Sequence, residues 1–171
     1  NGYKKMRREI TGCAEGAFDL YHKGHVRLFQ KMRDIFDKVL AVVNADEVVS
    51  SYKRTSPIIP FEDRVELLRS CKYVDEVIPA GTTNEPKTLY TYDSYKEVFP
   101  KRENFAAYLK TRPTIEWMEK NDIDYMVQGS DIEKEYLDLW YEEPLKEGKI
   151  ILLPETKDYH TIDIIKNILK K

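Results

Sequence analysis

No apolar run in this 171-residue chain approaches the roughly 18 residues that a membrane-spanning helix needs. Cysteine is nearly missing: Cys13 and Cys71 stand alone, each inside an apolar run. That excludes a disulfide framework and fits reduced core residues of a chain expected in the cytoplasm. An excess of charge is missing too, since 28 Lys and Arg against 30 Asp and Glu leave a net −2. A general nucleic-acid coat is thereby excluded, because phosphate-backbone affinity needs surplus cations on one face. No secretory leader pattern is present, and a start at Asn1-Gly2 without Met fits a processed chain or an excised domain. Histidine is scarce, at three residues. What is present is 42% hydrophobic residues, ample for a core at this length, and an unusual 12 Tyr against 6 Phe and 2 Trp.

The apolar pattern alternates between two periods. Residues 10–14 read as a short strand that runs into a turn at Glu15-Gly16. From Gly24, the apolar residues Val26, Leu28, Phe29, Met32, Ile35 and Phe36 recur at helical spacing. Residues 39–43 form a continuous, mostly β-branched run, as a parallel strand buried on both faces requires. A helix with acids in its first turn begins at Phe61 after Pro60, and a short strand around Val74 and Val77-Ile78 stops at Pro79. Pro113 opens another helix, 125–127 and 150–153 give two more strands, and 162–169 a closing amphipathic helix. Such alternation predicts one α/β domain over residues 1–171: a doubly wound, parallel, five-stranded, Rossmann-like sheet. Its ligands belong at the carboxyl ends of the strands, where the strand order reverses. Residues 84–112 read as an insert, too long for an ordinary connection and carrying Tyr90, Tyr92, Tyr95 and Tyr108.

The densest chemistry lies where the first strand meets the first helix. His22 and His25, at i and i+3 near a helix start, point the same way, and Gly24 between them leaves room for a ligand. The helix N-terminus adds unpaired N–H groups and a partial positive charge. Together they suit a phosphate whose charge grows during reaction, with imidazoles donating hydrogen bonds and carrying no fixed charge at rest. A pair of surface histidines at a loop-helix junction is the plainer alternative.

The run Gly16-Ala17-Phe18-Asp19-Leu20-Tyr21-His22-Lys23-Gly24-His25 resembles the first signature of the cytidylyltransferases that activate phosphorylated alcohols, within the nucleotidyltransferase superfamily. Ala45-Asp46-Glu47 with Tyr52-Lys53, Glu62-Asp63-Arg64 with the stretch 71–77, Asp122 to Asp131, and Tyr141 to Gly148 resemble further stretches in the family's order. The resemblance implies attack by a phosphomonoester oxygen on the α-phosphate of CTP, with release of pyrophosphate. It implies that His22 and His25 stabilise the transferred phosphate, that Lys53 pairs with substrate phosphates and that Arg64 assists. Gly16, Ala17, Phe18, Asp19, Gly24, Gly129, Asp131, Thr156, His160 and Thr161 would line the nucleotide; Asp19, Lys53 and Tyr141 the acceptor, a phosphocholine-like or phosphoethanolamine-like compound. Mg²⁺ would shield the β- and γ-phosphates near Asp19 or Asp131, its ligands unassigned. A homodimer is implied, with residues 72–77 near its interface.

One departure bears on activity. Where the family's last signature carries Arg, Gly and a first hydroxyl, this chain has Glu155, Asp158 and His160, while Thr156 and Thr161 remain. A carboxylate beside a triphosphate repels it, and one lost transition-state donor costs about 3–4 kcal/mol. Lys157 or His160 would have to supply the missing cation, or Glu155 would meet a cationic substrate group. Two other readings stay open: an adenylyltransferase of the same superfamily, and a nucleotide-binding domain that serves regulation or assembly without turnover.

Overall fold

The computed structural model describes residues 7–53, 55–79, 112–157 and 160–170. The insert, apart from Arg112, lies outside the described residues, as do its four tyrosines and Asp158. The elements follow in the order β1 (Thr11–Gly16), α1 (Lys23–Arg33), β2 (Lys38–Val43), α2 (Asp46–Lys53), α3 (Phe61–Arg69), β3 (Glu76–Pro79), α4 (Ile115–Lys120), β4 (Tyr125–Gly129), α5 (Lys134–Trp140), α6 (Glu142–Lys146), β5 (Ile150–Leu153) and α7 (Thr161–Leu169). All five strands run parallel in the order β3-β2-β1-β4-β5. This is the doubly wound α/β sheet that the sequence alternation predicts.

Alternation along β2 explains why both faces are covered. Leu40 and Val42 point into one core layer with Met118, Met126, Leu139 and Trp140, from α4, β4 and α5. Val39, Ala41 and Val43 point into the other, with Phe29 and Met32 of α1 and Val65 and Leu68 of α3. Each fully buried side chain of this size contributes about 1.5–3 kcal/mol through burial. Both cysteines are buried free thiols.

Several boundaries differ from expectation, each for a local reason. Helix α1 ends at Arg33, capped by the Asp34 N–H, so Ile35 and Phe36 lie in the turn that returns the chain to β2. Pro113 does not open α4. Thr114 is its N-cap, accepting from the Trp117 N–H, and the proline precedes it. Helices α2, α5 and α6 have no helical counterpart in the sequence reading, because at 8, 7 and 5 residues each is too short to show a sustained helical period.

The order of strands fixes where a ligand binds. It reverses between β1 and β4, so the crevice opens above Gly16 and Gly129 at their carboxyl ends. β1 approaches the rest of the domain closely because of Gly12. A Cβ there would lie under 3.0 Å from the buried ring of Phe36. Gly12→Ala should therefore cost about 1–3 kcal/mol by overpacking, read as a lower midpoint in urea denaturation.

Candidate active site

The loop after β1 is held in a costly conformation. Phe18 and Leu20 both adopt left-handed backbone, at φ 49° and 46°, which side chains with a Cβ rarely take. Between them the Asp19 carboxylate accepts three backbone N–H bonds: from Leu20 at 3.0 Å and from Ile58 and Ile59, both at 2.9 Å. Asp19 thus fastens the loop before α3 to the loop before α1. These bonds engage both of its oxygens and leave part of their acceptor capacity open. The buried Phe18 ring supports His25, edge to face at 5.4 Å between centroids.

His22 and His25 form a capping box built from imidazoles. His22 is the N-cap of α1, and its Nδ1 accepts from the Gly24 N–H at 3.0 Å. The His25 Nδ1 accepts in turn from the His22 N–H at 3.3 Å. Because each Nδ1 is an acceptor, each neutral ring carries its proton on Nε2, and that N–H is left as a donor. Burial keeps both rings neutral: it lowers the His22 pKa with help from His160, and it lowers His25 to about 3 with help from His22 and Lys53. The rings stack at 3.9 Å between centroids. The result is two uncharged donors beside the positive end of an 11-residue helix.

The crevice has two lobes that share His25, Leu28, Asp131 and Thr161. The outer lobe, about 220 Å³, is lined by His22, Gly24, His25, Gly129, Asp131, Glu155, Thr156, His160 and Thr161. The inner lobe, about 360 Å³, is lined by Glu15, Gly16, Ala17, Phe18, Asp19, Asn44, Lys53, Gln128, Tyr136, Trp140 and Tyr141. Every site residue expected from the sequence lies on one of these walls except Arg64. Lys53 ends α2, and its ammonium pKa is lowered by partial desolvation against the pull of the Asp19 carboxylate. Thr161 donates to the Asp19 carbonyl at 3.3 Å. Lys157 is exposed and is not a lining residue, whereas His160 lines the outer lobe.

Arg64 corrects the sequence reading. Its side chain is 0% exposed and points into the protein. Nε donates to the Ile59 carbonyl at 3.0 Å, Nη1 to the carbonyls of Ala17 and Asn44, and Nη2 pairs with Asp46. The guanidinium staples the ends of β1 and β2 to the loop before α3, and no donor faces the crevice. Arg64→Met should leave three carbonyls and Asp46 without their partner and cost about 3–5 kcal/mol, measured by urea unfolding. A surface phosphate contact would leave the midpoint unchanged.

Glu15 was missed by the sequence reading. It is 6% exposed, and its Oε2 accepts from the Trp140 Nε1 at 2.8 Å. Oε1 is buried with no hydrogen-bond partner, as is the Asn44 Oδ1 on the same wall. Gln128 links the Glu15 carbonyl, at 3.0 Å, to the Tyr141 hydroxyl. An acid two residues from the apolar core of a strand was the available signal. Burial raises the Glu15 pKa from 4.5 to about 8, with the Trp140 bond opposing, so this side chain is a neutral carboxylic acid at pH 7.

The two buried groups act on stability with opposite signs. Between about 3 and 6.5 the unfolded chain protonates His25 and the native one does not, so acidification through that window destabilises. Between 4.5 and about 8 the native chain keeps the Glu15 proton that the unfolded chain releases, so stability falls as pH rises. The unfolding free energy from urea titration should decline from pH 6.5 to 8 by up to about 1.4 kcal/mol per pH unit, and Glu15→Gln should flatten that decline.

With this geometry in hand, the chain's relationships are clear. The cytidylyltransferase-like family matches residues 13–167, and the chain belongs to it, within the nucleotidyltransferase superfamily. It is 43% identical over 74 residues to the FAD synthase of Thermococcus onnurineus, covering 43% of this chain and 49% of that protein. It is 28% identical over 142 residues to the probable ethanolamine-phosphate cytidylyltransferase of Encephalitozoon cuniculi, covering 70% of this chain and 44% of that protein. The matches thus span about half the length of these relatives. The crystal structure of the lipopolysaccharide core biosynthesis protein of Thermoplasma volcanium has the same fold, with a TM-score of 0.55 at 20% identity, over 88% of this chain and 100% of that one. Among the described residues, no helix is long and apolar enough to cross a membrane.

Proposed function

We propose that this domain transfers CMP from CTP to a small phosphorylated amino alcohol and releases pyrophosphate. The observation that carries the reading is the imidazole capping box, two neutral Nε2–H donors beside the α1 N-terminus. A phosphomonoester oxygen attacks the α-phosphorus in line; the new P–O bond forms as the bond to pyrophosphate breaks. The acceptor is already an anion, so the reaction needs positioning and charge stabilisation, and no strong base. His22 and His25 donate to the equatorial oxygens as charge builds there. Lys53 balances the acceptor phosphate from the inner lobe. Mg²⁺ entering on the triphosphate would supply positive charge to its phosphates, and Asp19 or Asp131, both on the crevice walls, would stand nearest to it.

The acceptor class is read from the inner lobe. A cation entering it would ionise the neutral Glu15, and the rings of Tyr136, Trp140 and Tyr141 surround the place. Once the cation ionises Glu15, its Oε1 and the Asn44 Oδ1 are two buried acceptors with no other hydrogen-bond partner. A primary ammonium offers N–H groups to both, whereas a quaternary ammonium offers none. Phosphoethanolamine-like acceptors therefore rank above phosphocholine-like ones, and glycerol 3-phosphate ranks last. Adenylyl transfer is the second reading, favoured by the 43% identity to an FAD synthase.

Pyrophosphate release separates these readings when CTP and ATP are each offered with phosphoethanolamine, phosphocholine, glycerol 3-phosphate and flavin mononucleotide. CTP with phosphoethanolamine should give the highest kcat/KM, and His22→Ala or His25→Ala should lower it about 10²–10³-fold. Turnover with ATP alone would move the assignment to the second reading. Nucleotide binding with no turnover of any pair would refute the enzyme reading.

A further inference from the structure

A group of side chains at the mouth of the crevice has no assigned role in the bond-making step beyond lining the nucleotide and, for Asp131, standing near the triphosphate's Mg²⁺. The carboxylates of Asp131 and Glu155 and the imidazole of His160 place one ligand atom each within 4.8 Å of the other two. Asp131 comes from the turn after β4, and Glu155 and His160 come from the connection between β5 and α7. All three line the outer lobe. None is committed elsewhere: Glu155 Oε2 and His160 Nε2 stand 3.6 Å apart, beyond a hydrogen bond, and Asp131 makes no bond or ion pair. Lys31, on the adjacent helix, donates its ammonium to the Pro154 carbonyl.

The placement is electrostatically contradictory as it stands. The same lobe presents the neutral donors of His22 and His25, which suit an anion, and two carboxylates, which repel one. A cation between the two sets removes the conflict, because it is bound by the carboxylates and itself attracts phosphate. The donor set selects the kind of cation. One imidazole with two carboxylates suits Mn²⁺, Co²⁺ or Zn²⁺, whereas Mg²⁺ and Ca²⁺ favour oxygen alone. The spacing is compatible. Donors about 2.1 Å from a shared ion lie roughly 3.0–4.2 Å apart, and the Glu155–His160 separation of 3.6 Å falls within that span. The 4.8 Å limit of the whole set closes by rotation of side chains that nothing else holds.

We propose that Asp131, Glu155 and His160 hold a resident divalent cation of the Mn²⁺, Co²⁺ or Zn²⁺ class, which offers a nucleotide phosphate the positive charge that Glu155 alone denies it. This ion is distinct from the Mg²⁺ carried in on a triphosphate, because the protein binds it before any nucleotide arrives.

The test is a titration of the full chain, stripped of metal by chelation, with MnCl₂ and no nucleotide, free Mn²⁺ being followed by electron paramagnetic resonance. One saturable site per chain is expected. Glu155→Gln and His160→Ala should each weaken it by more than about tenfold with unchanged circular dichroism, and equimolar Mg²⁺ should not displace the ion. Absence of a saturable site, a site indifferent to both substitutions, or ready displacement by Mg²⁺ would each overturn the proposal. No substrate is present in this experiment, so its failure is separate from any failure of the transferase reading.

Discussion

The buried guanidinium of Arg64 is the interaction on which the crevice depends. Its donors reach the carbonyls of Ala17, Asn44 and Ile59 and the Asp46 carboxylate, four points in separate segments that meet above the sheet. Buried carbonyls without donors are expensive, and here one planar fork satisfies three. With those ends fixed, Asp19 can hold the strained turn at Phe18 and Leu20, and Phe18 can brace His25. The geometry of the histidines is therefore set at a distance, by a side chain that never reaches the ligand space.

This dependence explains what the sequence disclosed and what it withheld. The sheet was legible because each strand is short, apolar and separated by a helix-period stretch. The run 39–43 could only be a central strand, and it lies second in the order with both faces covered. His22, Gly24 and His25 were legible because they are adjacent in the chain. Arg64 was not, because a charged residue beside Glu62 and Asp63 looks like the solvent face of a helix, and only the three-dimensional path of β1 and β2 shows what its donors meet. Glu15 was passed over for a related reason. A carboxyl in a strand reads as the end of the buried run, and the ring of Trp140 that receives it is 125 positions away.

The capping box carries a further lesson about tautomers. An imidazole at an N-cap does the work usually given to Ser or Asp, and doing so consumes its Nδ1. The proton must then sit on Nε2, and burial prevents a second from joining it. Helix capping and donor polarity are thus one arrangement. A substitution that repaired the cap with Ser would keep the helix start and lose the donor, so helix capping and the Nε2–H donor are separable at this position.

The net charge of −2 says little about the crevice, because several of its titratable groups are held in neutral form or turned away from it. His22 and His25 are uncharged, Glu15 keeps its proton, and Arg64 is turned inward. Among the described residues, Lys53 is the only Lys or Arg on either wall. Beside the neutral histidines, a polyanion would meet dipoles and N–H groups, which cost little to preorganise in a partly dry space. Fixed cations would bind substrate and product alike, which lowers KM without raising kcat. On the proposed reading, charge arriving with the ligands would act more selectively: an ammonium would ionise Glu15 only with the acceptor in place, and a metal would offset Glu155 only where phosphate is to sit. A site built this way would be nearly silent in the formal charge of its sequence, and its selectivity would come from which charges it allows to form.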